Sequence, residues 1–323
     1  MCNPLERRNC MAILDGYGRT IVDIRVSITQ QCNLNCIYCH HEGYHERSNS
    51  VKRDEMTAEE IQRLVSVSRQ VGIKRVKITG GEPLLRRDVF EIISKLSKLE
   101  GINEVSLVTN GVLLDQDTCD RLKHAGLKRI NISLDTLNPQ AYFDITRKNV
   151  LNKVLEGIQN AQNSGLNPIK INTVLLKDIN DTEIQEFIEF AMKTGVILQL
   201  IELMTFDENN DNFFNRYHVD PSPIEEALKG IAEHIEVRQM QQRKRYHLND
   251  GTVIEIVHPM HNSAFCANCK RLRVTSDGHL KPCLMREDNL IDILTPIRRN
   301  ISDEEIYQQF LQAIALREPF FKE

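Results

Sequence analysis

The chain has 323 residues, 41% of them hydrophobic and 27% charged, with 15 Gly and 10 Pro. A chain of this size buries roughly three-quarters of its unfolded surface without a disulfide frame, and the composition excludes collagen-like, low-complexity and disordered classes. The balance of 41 basic against 45 acidic residues, net −4, argues against a general binder of nucleic-acid polymers or membrane surfaces, although a phosphate-bearing small molecule needs only a few placed cations.

The arm of residues 1–21 carries Cys2 and Cys10 and shows no clear periodicity. Its start, Met1-Cys2-Asn3-Pro4, lacks a signal-peptide core, and no apolar run approaches the roughly 20 residues of a membrane span. A soluble, cytoplasmic protein is expected. From Val22 onward, strands are predicted at Ile24–Ile28, Arg75–Ile78, Glu104–Val108, Arg129–Leu134, Ile169–Val174 and Ile197–Leu203. They read as too apolar to alternate, as in parallel strands covered on both faces. Between them, Thr57-Ala-Glu-Glu60 and Asn180-Asp-Thr-Glu183 match capping boxes, and Gly72, Gly126, Gly165 and Gly195 mark helix ends.

Six βα units over 22–215 predict an α/β fold, a partial (βα)6 TIM-type barrel. A doubly wound sheet is the alternative, weakened because no Gly-x-Gly-x-x-Gly follows the first strand. After the polar Asp207–Asn212 loop, residues 216–323 form a smaller C-terminal domain that covers the barrel's open side. It has a helix after Pro221-Ser-Pro223, strands at Ile235–Arg238, Arg245–Leu248 and Val253–Val257, and a last helix capped by Ser302-Asp-Glu-Glu305. The basic stretch Arg238-Gln-Met-Gln-Gln-Arg-Lys-Arg245 reads as a solvated turn or edge strand.

Six of the nine cysteines form two groups, Cys32, Cys36, Cys39 and Cys266, Cys269, Cys283; Cys119 reads as a buried helix residue. Reduced, clustered cysteines point to metal chemistry. Three thiolates can hold three irons of a [4Fe–4S] cluster and leave the fourth open. Zinc is the alternative at each group, completed by His40 or His41 at the first and by His258, His261 or His279 at the second. The other strand ends also carry polar motifs: Lys77-Ile-Thr-Gly-Gly-Glu-Pro83, Thr109-Asn-Gly111, Ser133-Leu-Asp135 and Glu202-Leu-Met204. In a βα barrel such ends converge on one site, where two glycines allow close backbone approach to a ligand.

Cys32-x-x-x-Cys36-x-x-Cys39 with Tyr38, followed by Gly-Gly-Glu-Pro, resembles the radical S-adenosylmethionine superfamily. The resemblance implies that Cys32, Cys36 and Cys39 bind a catalytic [4Fe–4S] cluster. It also implies that Tyr38, Gly81, Ser133 and Met204 contact S-adenosylmethionine, with Glu82 receiving its amino group.

Gly18-Arg19-x5-Arg25-x-Ser27, both cysteine groups, Cys266-x-x-Cys269-x-Arg271-x-Arg273 and Ser276-Asp-Gly278 are together similar to the GTP 3′,8-cyclase (molybdenum cofactor biosynthesis protein A) family. That likeness implies a second [4Fe–4S] cluster on Cys266, Cys269 and Cys283. GTP would be held by Arg25, Lys77, Thr109, Lys170, Arg271, Leu272 and Arg273, with Arg271 and Arg273 acting in catalysis. The expected partners are cyclic pyranopterin monophosphate synthase and an electron donor, and a homodimer is allowed. The chain departs from the family at Gln199, where many members carry Arg, at Val108, and in ending Pro319-Phe-Phe-Lys-Glu323 rather than Gly-Gly. The competing readings are a peptide- or cofactor-modifying radical enzyme with an auxiliary cluster, and a zinc-binding module.

Overall fold

The computed structural model describes residues 13–40, 55–207 and 211–322. Cys2, Cys10, His41 and the middle of the 207–212 loop lie outside them. Twelve strands form one sheet: β1 (Asp23–Ser27), β2 (Arg75–Thr79), β3 (Glu104–Thr109), β4 (Arg129–Ser133), β5 (Ile169–Leu175), β6 (Ile197–Glu202), β7 (Ala232–Val237), β8 (Lys244–Leu248), β9 (Val253–Val257), β10 (Arg271–Val274), β11 (His279–Lys281) and β12 (Ile291–Asp292). Their order is β12-β11-β10-β1-β2-β3-β4-β5-β6-β9-β8-β7. The first six strands follow one another without reversal and all pair in parallel. A doubly wound sheet reverses order at a switch point; this sheet winds one way, as a barrel does.

The C-terminal region joins that sheet at both edges. β10 pairs in parallel with β1, and β9 in parallel with β6. Cys266 and Cys269, just ahead of β10, are thereby brought beside the first strand, and Cys283 follows β11, which runs antiparallel to β10.

The expectation of strands mostly too apolar to alternate is corrected. Ile24 and Val26, Val76 and Ile78, Ile130 and Ile132, and Ile169 and Ile171 are buried in the core that includes the flanking helices. The intervening positions, Asp23 and Arg25, Arg75 and Lys77, Arg129 and Asn131, and Lys170 and Asn172, face the opposite way and line a cavity. At these positions β1, β2, β4 and β5 each have an apolar helix side and a polar cavity side.

Local signals set most helix ends. Thr57 accepts from the Glu60 amide at 3.2 Å while Glu60 accepts from the Thr57 amide at 2.8 Å, closing the box before Ala58–Ser68. Ser302 and Glu305 repeat it before Asp303–Ala315. The second box expected at Asn180–Glu183 does not form, and the helix there begins at Ile184. Asn180 is buried; its Nδ2 donates to the Asp135 and Val174 carbonyls at 2.6 and 2.8 Å, and Glu183 accepts from Thr136 and the Leu137 amide. Both residues tie the ends of β4 and β5 together.

Candidate active site

The first cysteine loop leaves β1 and is pinned on two sides. The Gly81 and Glu82 amides donate to the Thr29 and Gln31 carbonyls at 2.8 and 2.7 Å, and the Asn35 and Ile37 amides donate to Thr146 and Ile145, both at 3.0 Å. A Cβ at Gly81 would lie 2.3 Å from the Gln31 carbonyl oxygen. This glycine therefore admits the backbone of the cysteine loop, where close approach to a ligand was the sequence expectation. Cys32 Sγ receives the Leu34 amide at 3.5 Å and Asn110 Nδ2 at 3.9 Å.

Glu82 is fully buried. It accepts from Thr109 Oγ1 at 2.8 Å, the Leu84 amide at 3.0 Å and the Asn110 amide at 2.7 Å, and burial pushes its carboxyl up to about 7. Its oxygens hold the ends of the second and third strands together. Thr109, expected on the nucleotide, is buried, donates to Glu82 and accepts from the Gly111 amide at 3.1 Å, and it lies outside the cavity lining. Leu272 has its side chain in the apolar core while its neighbours Arg271 and Arg273 face the cavity.

The cavity, about 340 Å³, brings together most of the other expected residues. Tyr38, Ser133 and Met204 line it at one side, and Cys266, Cys269 and Cys283 at another. Arg25, Lys77, Lys170, Arg271 and Arg273 also face it. Cys32, Cys36, Cys39, Gly81 and Glu82 are not among the lining residues; the first loop reaches the cavity through Tyr38 and His40. Tyr38 Oη donates to Asp135 at 2.6 Å, and Asp135, which also accepts from the Val174 amide at 2.8 Å, is raised by burial to about 6.

Among the described residues, nine arginines and two lysines line this space against four carboxylates, Asp23, Glu104, Glu202 and Glu318. Burial, then Arg129, Arg25, Arg271 and Lys170, hold the Lys77 ammonium well below its usual range; its Nζ donates to Asn131 at 3.1 Å. Lys170 is bonded to Glu255, whose buried carboxylate also meets Arg243 at 2.9 Å, Arg238 at 3.2 Å and Arg245 at 3.1 Å. Although burial pushes Glu255 up, Arg243, Lys170 and Arg238 hold it ionised, well below the usual carboxylate range.

The stretch read as a solvated turn is therefore part of the site, with Arg238 and Arg243 lining the cavity. Its signal was an unpartnered run of arginines facing Glu255 in the next strand, but only the β8–β9 hairpin brings them together. The sequence also missed Asp15, Arg19 and Arg317.

Among the described residues no two cysteines are joined in a disulfide. Cys36 is pushed up by burial, Asp135, Cys39 and Cys32; Cys283 is pushed up by burial and by Cys269 and Cys266. Despite its burial, Cys269 moves the other way, held down by Arg317 and Arg271; a bound cationic metal group would favour the thiolate form of all of them. Among the described residues no three His, Cys, Asp or Glu side chains are arranged to hold one metal ion; thiolates on an iron–sulfur cube bind different irons and stand apart. The histidines of the zinc alternative at the second group have other partners. His258 lies 3.7 Å from Glu202, His261 packs on Phe321 at 5.1 Å, and His279 meets Asp277 at 3.3 Å. The donor sets fit two clusters.

Residues 26–191 match the model of the Radical SAM superfamily, and residues 196–323 match Molybdenum Cofactor Synthesis C. The singly wound sheet, the three-cysteine loop and these matches define a radical S-adenosylmethionine protein. Its relatives include a probable GTP 3′,8-cyclase of Methanothermobacter thermautotrophicus, 43% identical over 96% of this chain and 99% of that protein. Another, from Thermococcus kodakarensis, is 43% identical over 96% of this chain and 100% of that protein. The chain belongs to the GTP 3′,8-cyclase family. In fold it is similar to Streptococcus suis SuiB bound to S-adenosylmethionine (TM-score 0.65, 15% identity, 98% of this chain and 69% of that one). It is also similar to anSMEcpe with bound AdoMet (TM-score 0.60, 17% identity, 90% and 78%). No helix among the described residues is long and apolar enough to cross a membrane.

Proposed function

We propose that this chain cyclises GTP to (8S)-3′,8-cyclo-7,8-dihydroguanosine 5′-triphosphate, the first step of molybdenum cofactor biosynthesis. It would work with S-adenosylmethionine and two [4Fe–4S] clusters. The observation that carries this reading is the cation-walled cavity that Tyr38 and Met204 enter from one side and Cys266, Cys269 and Cys283 from another. Cys32, Cys36 and Cys39 hold the first cluster in this reading, and the second group holds the other. When bound, the first cluster and S-adenosylmethionine supply the one-electron chemistry that removes a ribose hydrogen atom.

The chain's own residues bind, orient and shield. Lys77, Arg25 and Arg129 bring basic groups together in a desolvated space, where a triphosphate is held far more strongly than at a surface. Arg271 and Arg273 stand on β10, directly after the second cysteine pair, and so would hold the end of the nucleotide nearest the second cluster. Ser133 and Met204 line the Tyr38 side, where S-adenosylmethionine would lie. A neutral peptide substrate has no need of so many converging cations, so the peptide-modifying alternative is not favoured. An electron donor and cyclic pyranopterin monophosphate synthase would act before and after the reaction.

Anaerobic incubation of the reconstituted holoenzyme with reductant, S-adenosylmethionine and GTP tests the assignment. Chromatography with mass analysis should show a rearranged guanine nucleotide alongside 5′-deoxyadenosine. 5′-Deoxyadenosine with unchanged GTP would reject the cyclase and retain the superfamily.

A further inference from the structure

Both ends of the described chain meet at the second cysteine loop. Asp15 lies in the N-terminal arm, and Arg317 follows the last helix. Asp15 Oδ2 accepts from Arg19 Nε and from Arg317 Nη1, both at 2.8 Å. Its Oδ1 accepts the Tyr17 and Arg19 amides at 3.0 and 2.9 Å. Each arginine then reaches onward to the cysteine loop: Arg19 Nη1 donates to the Cys266 carbonyl at 2.9 Å, and Arg317 Nη2 to the Cys269 carbonyl at 2.6 Å. The Asp15, Arg19 and Arg317 side chains are 0%, 6% and 1% exposed.

We propose that Asp15, Arg19 and Arg317 are positioning residues for the second thiol triad, a buried clamp that sets the spacing of Cys266 and Cys269. The chemistry of the contacts favours this role over general adhesion. The guanidinium groups grip the two cysteine carbonyls at either end of the Cys-x-x-Cys turn, so their separation is tied to that of the two thiols. One Asp15 carboxylate oxygen is shared by both guanidinium groups, and such charge-assisted bonds are short and directional. Buried as they are, the three groups are tolerable only as a set, because losing one leaves an uncompensated charge. The clamp also couples the cluster loop to the C-terminal segment, since Pro319, Phe320 and Phe321, just beyond Arg317 in the chain, line the same cavity.

This inference rests on the reading that the second triad holds a cluster. The test compares iron content and the low-temperature electron paramagnetic resonance spectrum of the reduced, anaerobically reconstituted full-length protein with those of Arg317→Met, Arg317→Lys and Arg19→Gln. The wild type should hold about eight irons, as two [4Fe–4S] clusters require; about four would defeat the two-cluster reading itself. Arg317→Met and Arg19→Gln should each lose or alter the second-cluster signal, with iron falling towards about four. The first-cluster signal and S-adenosylmethionine-induced changes to it should remain. Arg317→Lys, which keeps the charge but cannot bridge Asp15 and the Cys269 carbonyl with one planar fork, should restore part of that signal. Wild-type spectra and iron in both the Met and Gln variants would overturn the clamp. So would parallel loss of both signals together with a lowered melting temperature, which would mark the residues as general scaffold.

Discussion

Lys170 on β5 and Glu255 on β9 form an ion pair that passes over β6, with side chains 3% and 0% exposed. Glu255 is shared with Arg238, Arg243 and Arg245, so one carboxylate organises four cations. Gln199, which departs from the arginine many family members carry, is Glu255's register partner. The positive charge absent from β6 is supplied here from the β7–β8 turn.

Glu255→Ala should therefore leave four cations crowded without their counter-charge. Loss of one partner from a buried pair costs about 3–5 kcal/mol, and thermal unfolding should show a correspondingly large fall. Inorganic triphosphate should raise the melting temperature of the variant more than that of the wild type. An unchanged melting temperature would mean that Glu255 is not the hub.

Lys77→Met should weaken GTP by about 1.5–3 kcal/mol, the range for a charge-assisted bond, and guanosine much less. Because burial and four neighbouring cations lower the ammonium's pKa, a triphosphate that favours the charged form should draw in a proton. Wild-type binding should then weaken as pH rises, and calorimetric enthalpies should vary with buffer ionisation. Equal loss for GTP and guanosine would contradict a phosphate role.

Glu202 supplies a pH prediction. It is 2% exposed and its carboxyl is raised to about 7, chiefly by burial, with Asp220 adding to the rise and the Met260 amide, His258 and His261 opposing it. Between about pH 4.5 and 7 the folded state keeps a proton that the unfolded chain releases, so stability falls as pH rises through that window. Glu202→Gln should flatten this part of a melting-temperature profile by about 1–3 kcal/mol at its upper end. A profile parallel to the wild type would refute the assignment.

Gly81→Ala would set its Cβ 2.3 Å from the Gln31 carbonyl oxygen and 2.6 Å from that of Gln30. Backbone on both sides must move, at a cost of about 1–3 kcal/mol or more. The cysteine loop should be displaced, with loss of the first cluster's iron while the second is retained. Normal iron content would show that the loop tolerates the shift.

Leu272→Ala separates the core from the site on β10. The residue is wholly buried, so its truncation should cost about 2–5 kcal/mol of stability. GTP affinity, measured below the melting transition, should hold. Arg271→Ala and Arg273→Ala should show the reverse pattern.

Much of this was legible in the chain because it depends on near neighbours. All six parallel strands were located within a residue or two, since their apolar runs are bounded by glycine and capping signals that act over three or four residues. The Cys32–Cys39 spacing and the capping boxes at Thr57 and Ser302 are local in the same sense. Asn180 shows where that logic stops. Its pattern fits a cap, but buried carbonyls from Asp135 and Val174, 45 and 6 residues away, claim its amide.

What the residue order determined was the chemical repertoire: two triplets of thiols, a βα rhythm, and arginines and lysines at defined strand positions. Which of those charges share a space was decided only by the tertiary structure. β9 and β10 close on opposite edges of the six-stranded sheet, and Arg317 meets Asp15 across 302 residues of chain. Ion pairs and desolvation depend on distance in space, and no periodicity in sequence encodes a contact between the two ends of the chain.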